Sequence, residues 1–437
     1  MQLSALPADG RAVLESLARL DLAEAEAEQQ VIGTEGTAGL LPWRDAIIRL
    51  DAAGLLERSV LAEPGLPVAR LRRTGSVRGR DTAAGAPAVT KLSRFTVLHA
   101  ADGKLVAERP GSHATVEVEP MVAGVVAELA QWTSVSGPVG GLSAQLSRAV
   151  IDLLAGAGLL APGGPDDDQE STAPSLAQWH PADLWLHGRH RNPRLVSGYG
   201  GSYPLTGRFP PIPAIPAARP GPRLDLRAPD LRLAAEADPP FTDVLERRTS
   251  VRAHDPVAPI TLDQLGELLY RSARVRNVTR GNRQELANRP YPSGGALHEL
   301  EIYPLITQCE GAQSGLWHYA ASNHQLEHIA EPGTITASMV AWARGAAVMT
   351  GDPQVVLIIT ARFGRILWKY NAIGYPLILK HVGVLYQTIY LVGTAMGLGV
   401  CGLGGGDGAD FAAASGLDYH EQGSVGEMVV GTPARDT

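Results

Sequence analysis

The sequence predicts an α+β fold for its C-terminal half, residues 231–437, on three observations. Helical and strand patterns alternate there, one long helix is apolar nearly all round, and the texture differs sharply from the proline-rich stretch before it. A chain of 437 residues with 45% hydrophobic content is long enough for two or three domains and can bury sizeable cores. Three regions follow: residues 1–161, a helix-and-hairpin region; residues 162–230, a linker and arm; and the α+β domain, residues 231–437.

In the first region, Ile48-Arg-Leu-Asp-Ala-Ala-Gly-Leu-Leu56 recurs as Asp152-Leu-Leu-Ala-Gly-Ala-Gly-Leu-Leu160. Each predicts a helix closed by a glycine cap, with paired leucines beyond it. Between them, Phe95–Leu98 and Leu105–Glu108 flank a turn containing Asp102-Gly103, which reads as a hairpin. Helix, helix, hairpin and helix predict winged-helix-like units that serve docking or peptide recognition. DNA is the weaker partner, because the net charge is −7 and no Lys/Arg cluster marks a recognition helix.

Residues 162–175 are acidic and low in complexity, the pattern of a solvated linker. Residues 204–223 hold seven prolines, which favours an extended arm because proline cannot donate to a helical ladder. Between them, Trp179–Arg191 carries three histidines. A zinc site would need a cysteine or carboxylate partner that the spacing lacks, so an amphipathic helix packing on the main domain is expected and no metal.

Within residues 231–437, helices are expected near 240–248, 261–270 and 334–347, and strands at 300–307, 316–319, 354–360 and Met428–Gly431. The run Tyr375–Leu398 reads as a buried helix and not a membrane span, because Gln387, Thr388, Thr394 and several glycines interrupt it. Two cysteines, Cys309 and Cys401, are too few for a disulfide scaffold and fit a reducing, cytoplasmic setting. No basic segment followed by an apolar core marks a secretory signal.

Four segments carry chemistry-bearing residues. Arg247-Arg-Thr-Ser-Val-Arg252 alternates guanidiniums and hydroxyls, which suits an anion. Tyr291-Pro-Ser-Gly-Gly-Ala-Leu-His298 lets backbone amides approach a flat ligand. Lys369-Tyr370 follows Ala361-Arg-Phe-Gly-Arg-Ile-Leu-Trp368 and places a cation and a phenol beside the core. Gly402-Leu-Gly-Gly-Gly-Asp-Gly408 suits a loop lying on a cofactor. Just ahead, Gly397–Gly402 matches G-x-G-x-x-G, but a helix precedes it where the dinucleotide fold needs a strand, which rejects that fold.

In this order and spacing the four segments resemble the nitroreductase-like flavoproteins, and more narrowly the SagB-type dehydrogenases, the azoline oxidases of modified-peptide biosynthesis. The similarity runs from about Thr242 to Pro433, and the N-terminal region and the Trp179–Arg191 stretch are also similar to those of such oxidases. The resemblance implies a nitroreductase-like domain with a central mixed or antiparallel sheet and a buried long helix. It implies FMN held at its phosphate and ribityl chain by Arg248, Ser250 and Arg252. Pro292, Ser293 and Gly294 then meet the flavin ring, typically from the partner subunit of a homodimer, and Gly404 and Gly405 lie beside the cofactor. Lys369 and Tyr370 match the catalytic Lys-Tyr pair.

The implied reaction oxidises a peptide thiazoline or oxazoline to the azole, with hydride passing to flavin N5 and reoxidation by oxygen. Lys369 is the expected base, with burial and the nearby Arg362 and Arg365 lowering its pKa, and Tyr370 its helper. The implied partners are an azoline-containing precursor peptide and a cyclodehydratase; nucleic acid and membrane are not expected. The alternatives are a flavin oxidoreductase acting on another small-molecule or carrier-bound substrate, and a winged-helix scaffold with a degenerate flavin domain.

Overall fold

The computed structural model describes residues 24–52, 56–63, 66–73, 85–101, 103–112, 114–191 and 198–434. The chain divides into two compact units, Met1–Tyr199 and Gly200–Thr437. The boundary therefore falls inside the segment expected as linker and arm, and each unit takes part of it.

The first unit opens with two helices, α1 (Glu24–Glu35) and α2 (Leu40–Ala52). Strands β1 (Glu57–Glu63), β2 (Leu66–Arg73), β3 (Val97–Ala101), β4 (Lys104–Glu108) and β5 (Ala114–Val118) form one antiparallel sheet in the order β1-β2-β5-β4-β3. Helix α3 (Ala144–Gly156), capped by the Ser143 hydroxyl, shares a core with it built from Val68, Leu71, Val116, Ile151 and Leu154. The expected hairpin is β3–β4, although Asp102 of its turn lies outside the described residues. The second copy of the repeat ends as expected: Gly158 adopts a left-handed φ of 69° and Leu159 is fully buried. Residues 53–55 of the first copy lie outside the described residues. The two halves share one sheet, because β2 pairs with β5.

The solvated-linker expectation for residues 162–175 is overturned. Asp168 pairs with Lys91 at 2.5 Å. The buried Glu170 carboxylate accepts from Ser93 Oγ at 2.5 Å and from the Arg94 amide at 2.9 Å. Acidic composition signals solvation only where no partners exist, and here a lysine, a hydroxyl and an amide some 76 or 77 residues away supply them. The histidine-bearing stretch forms helix α4 (Pro181–Arg191) in this same unit. Its Gly188 sits so close to Pro110 that a side chain would press on that ring.

In the second unit, seven antiparallel strands form the central sheet. They are β6 (Arg223–Asp225), β9 (Leu300–Ile306), β10 (Gly315–Ala320), β11 (Gln325–Ala330), β12 (Val355–Arg362), β13 (Gly399–Gly402) and β14 (Gln422–Gly431), in the order β6-β11-β10-β9-β12-β14-β13. A separate hairpin, β7 (Asn277–Arg280) and β8 (Glu285–Asn288), lies between β6 and β9 in the chain. Helices α6 (Leu262–Ala273) and α9 (Gly374–Ala395) cover one face, where Leu265, Leu269, Ile302, Leu357, Ile378 and Leu385 share a core. Helices α7 (Thr334–Ala347) and α10 (Gly408–Ser415) cover the other, with Tyr303, Val356, Ile358, Met339 and Phe411. A short helix α5 (Phe241–Arg247) and a turn of helix α8 (Phe363–Leu367) complete the unit.

The expected α+β architecture is present, with an antiparallel sheet. The proline-rich arm opens in turns over residues 204–208, where the Arg208 and Phe209 amides donate to the Leu205 carbonyl, and ends by adding β6 to the sheet edge. Arg362 donates to the carbonyls of Pro213 and Ala214, and Arg365 to those of Ile212, Glu285 and Leu297. These two arginines therefore clasp the arm, because a buried guanidinium needs several acceptors and the arm's proline-flanked carbonyls have no strand partner.

Helix α9 is not apolar on every side in use: Tyr375 and Leu379 are 43% and 42% exposed. It ends at Ala395, where Gly397 turns left-handed and leads into β13. Among the described residues no helix is long and apolar enough to cross a membrane.

Candidate functional site

Lys369 and Tyr370 come immediately after α8, on the segment that links β12 to α9. The expectation of a buried pair is corrected: both are half-buried. The backbone around them is fixed from three sides. Asn371 bridges to Gly200, the Tyr203 amide donates to the Lys369 carbonyl at 3.0 Å, and Trp368 Nε1 donates to the Phe209 carbonyl at 2.8 Å. Lys369 Nζ lies 5.0 Å from the centre of the Tyr370 ring, within cation–π range. No ion pair to Lys369 forms among the described residues, which leaves its amine available.

The loop from Pro292 to His298 meets this pair. A Cβ on Gly295 would lie under 3.0 Å from both Lys369 Nζ and Tyr370 Oη. Only glycine lets the backbone approach that closely, and its φ of 66° is one most residues avoid. Ala296 and His298, at φ 56° and 47°, share the left-handed region without that freedom. Side chains hold the strained loop. Ser293 Oγ accepts from the His298 amide at 3.0 Å and donates to Glu299 Oε2 at 3.4 Å. The Gly294 amide donates to His381 Nε2 at 2.7 Å, and His381 Nδ1 pairs with Glu299 Oε1 at 2.6 Å. Burial, with Arg289, His381 and Arg365 nearby, pulls the His298 imidazole down to about 3, so it is neutral.

A second cluster gathers round Tyr390. Ser250 Oγ lies 2.9 Å from Tyr390 Oη, and the Gly402 amide donates to the same oxygen at 2.7 Å. The Arg248 guanidinium stands 5.4 Å over the Tyr390 ring and makes no ion pair among the described residues. Exposed Arg252 reaches back to the Ser250 carbonyl at 3.4 Å. Two guanidiniums without carboxylate partners among the described residues, beside a hydroxyl, form a donor set suited to a phosphate.

The glycine loop begins here. Tyr386 Oη donates to the Glu427 carbonyl at 2.9 Å, and a Cβ on Gly402 would press on the Tyr386 ring. Gly404 is open, with nothing within 4 Å of where its Cβ would be, Gly405 faces Trp342, and Gly406 sits against the Glu427 carboxyl. Burial holds that carboxyl above the usual range.

The four segments thus form two groups in this chain and not one. Pro292–Gly295 joins Lys369–Tyr370, while Arg248–Arg252 joins the glycine loop. Helix α9 separates them: His381 serves the first group and Tyr390 the second. Nine residues is about two and a half turns, which places these side chains on opposite flanks of the helix. Sequence reading missed Glu299, His381, Tyr386 and Tyr390. The lone histidine and the tyrosines 386 and 390 of a mostly apolar helix were the available signal, since buried polar groups need partners.

A family model described as the nitroreductase family matches residues 245–432. The C-terminal unit is a nitroreductase-family domain. A second model, the cyanobactin oxidase ThcOx, matches residues 90–195. The two models thus fall on one chain, the first within its C-terminal unit and the second within its N-terminal unit. The chain is 33% identical over 114 residues to the microcin B17-processing protein McbC of Escherichia coli, covering 25% of this chain and 42% of that protein. It is 27% identical over 184 residues to a nitroreductase of Methanocaldococcus jannaschii, covering 42% of this chain and 85% of that protein. Among solved structures, a nitroreductase from Ralstonia eutropha is similar at 21% identity and a TM-score of 0.39, covering 52% of this chain and all of that one.

Proposed function

We propose that this protein is an FMN-dependent dehydrogenase that converts thiazolines or oxazolines of a precursor peptide to the azoles. The observation that carries the reading is the convergence of Lys369 and Tyr370 on Gly295, a base candidate and a phenol on a glycine loop in a nitroreductase-family domain. The ThcOx match and the likeness to a microcin-processing protein support a modified peptide as substrate.

The donor set fits FMN: Arg248, Ser250 and Arg252 would hold its phosphate and ribityl chain, Gly404 and Gly405 would lie beside it, and Pro292, Ser293 and Gly294 would meet its ring. When bound, it supplies the two-electron hydride acceptor. The azoline ring loses one hydride and one proton to become aromatic. Lys369 takes that proton from ring carbon, and Tyr370, held against Gly295, orients the ring for the transfer.

The split of the site across α9 supports a homodimer. Tyr375 and Leu379 are exposed on this helix, and a second copy seated there would bring the Gly295 group of one protomer to the Arg248 group of the other. The first unit is the proposed docking region for the peptide or a cyclodehydratase partner, in winged-helix manner, in the cytoplasm. The test is purification with flavin and incubation with a thiazoline peptide. Yellow protein that removes two hydrogens from the peptide supports the reading; a protein that cannot take up FMN overturns it.

A further inference from the structure

Three residues of the Pro292–His298 loop have left-handed backbone, and two of them, Ala296 and His298, are not glycine. Such a conformation persists only when its surroundings over-determine it. The restraint is a relay through the core. Glu299, fully buried immediately before β9, pairs with His381 of α9, whose side chain is 7% exposed, at 2.6 Å. His381 Nδ1 carries the proton toward the carboxylate, which leaves Nε2 as a lone-pair acceptor for the Gly294 amide at 2.7 Å. Glu299 also receives the Ser293 hydroxyl, whose oxygen takes the His298 amide, so the loop is gripped at both ends. Among the described residues no hydrogen bond or ion pair joins Glu299 or His381 to Lys369 or Tyr370; Gly295, next in chain to Gly294, lies against both.

We propose that Glu299 and His381 are a buried positioning pair that fixes the Gly294–Gly295 backbone and, through it, the Lys369 and Tyr370 side chains. The assignment of those two as the reacting residues rests on the function proposed above; the grip on the loop does not. Breaking the relay frees the Gly294 amide and lets the loop relax toward ordinary φ values, withdrawing the surface that Lys369 and Tyr370 rest on. A shift of about 1 Å at a reacting group lowers turnover on the order of 10²-fold.

The test uses full-length protein loaded with FMN and a thiazoline peptide, in wild type, His381→Leu and His381→Gln. Leucine fills the space without an acceptor, whereas the glutamine carbonyl can take the Gly294 amide. Hydrogen exchange across residues 291–299 is measured without substrate, and kcat and KM separately. The His381→Leu variant is expected to exchange faster at Gly294 and to lose kcat on the order of 10²-fold with KM little changed, and His381→Gln to restore both. Should His381→Leu not fold because Glu299 is left unpaired, the Glu299→Gln/His381→Leu variant removes the stranded charge and is read in the same way. Unchanged exchange, or equal kcat in the leucine and glutamine variants, overturns the proposal. A wild type that turns over no azoline but shows the exchange difference supports the grip on the loop and counts only against the reaction.

Discussion

Replacing Gly295 by alanine probes the contact on which the site is built. The new methyl would lie under 3.0 Å from Lys369 Nζ and Tyr370 Oη, against an ordinary separation of about 3.5–4.0 Å. Either both side chains retreat by about 1 Å or the loop does. Lysine is flexible at its far end, so the stability loss is modest: about 1 kcal/mol for alanine at a φ of 66°, plus a smaller steric share. The effect on rate is far larger, because displacing both reacting groups by about 1 Å lowers turnover on the order of 10²-fold. Azole formation is followed by mass spectrometry, with flavin occupancy from absorbance and folding from a thermal melt. Gly295→Ala should melt within a few degrees of wild type, keep its flavin and lose turnover. Full turnover with flavin bound would refute the reasoning, since the pair would then tolerate a displacement it is argued not to survive.

Tyr390→Phe removes the hydroxyl shared by Ser250 and the Gly402 amide; FMN affinity, read by fluorescence quenching, should weaken by roughly tenfold for the lost buried hydrogen bonds. Gly406→Ala drives a methyl into the buried Glu427 carboxyl and should lower stability by about 1–3 kcal/mol in urea unfolding, whereas Gly404→Ala, with open space, should not. His298 and His254 are lowered by burial to about 3 and about 4 from 6.5. The native state therefore binds fewer protons than the unfolded chain between those values. Stability should be full above about pH 6.5 and fall as pH drops toward 4, with a slope below about 1.4 kcal/mol per pH unit per histidine; a melting temperature that rises on acidification would contradict this.

Local pattern carried much of the fold into the sequence. Helix α7 spans Thr334–Ala347, the range its periodicity predicts, and β12 lies within two residues of its expected ends. What stayed hidden depends on partners distant in the chain. Strand β13, Gly-Val-Cys-Gly, has no alternation of its own and exists because it pairs with β14 at the sheet edge. Helix α10 begins inside the glycine run, capped by the Asp407 side chain, and reads as loop until Phe411 is seen in the core. The acidic run near Asp168 looked solvated because its lysine is 77 residues away. In the site, the residue types of all four motifs were legible, but not their division between the flanks of α9. The Glu299–His381 pair joins residues 82 apart and leaves no local trace.

The most direct test of the account is a single turnover without oxygen. Protein loaded with oxidised FMN is mixed with an excess of a thiazoline peptide, and flavin absorbance and peptide mass are followed together, in wild type and Lys369→Ala. The account predicts bleaching of the flavin in step with the loss of two hydrogens from the peptide, and neither in Lys369→Ala that still holds FMN. Flavin that remains oxidised in wild type beside unchanged peptide, or a Lys369→Ala variant that bleaches at the wild-type rate, would contradict it.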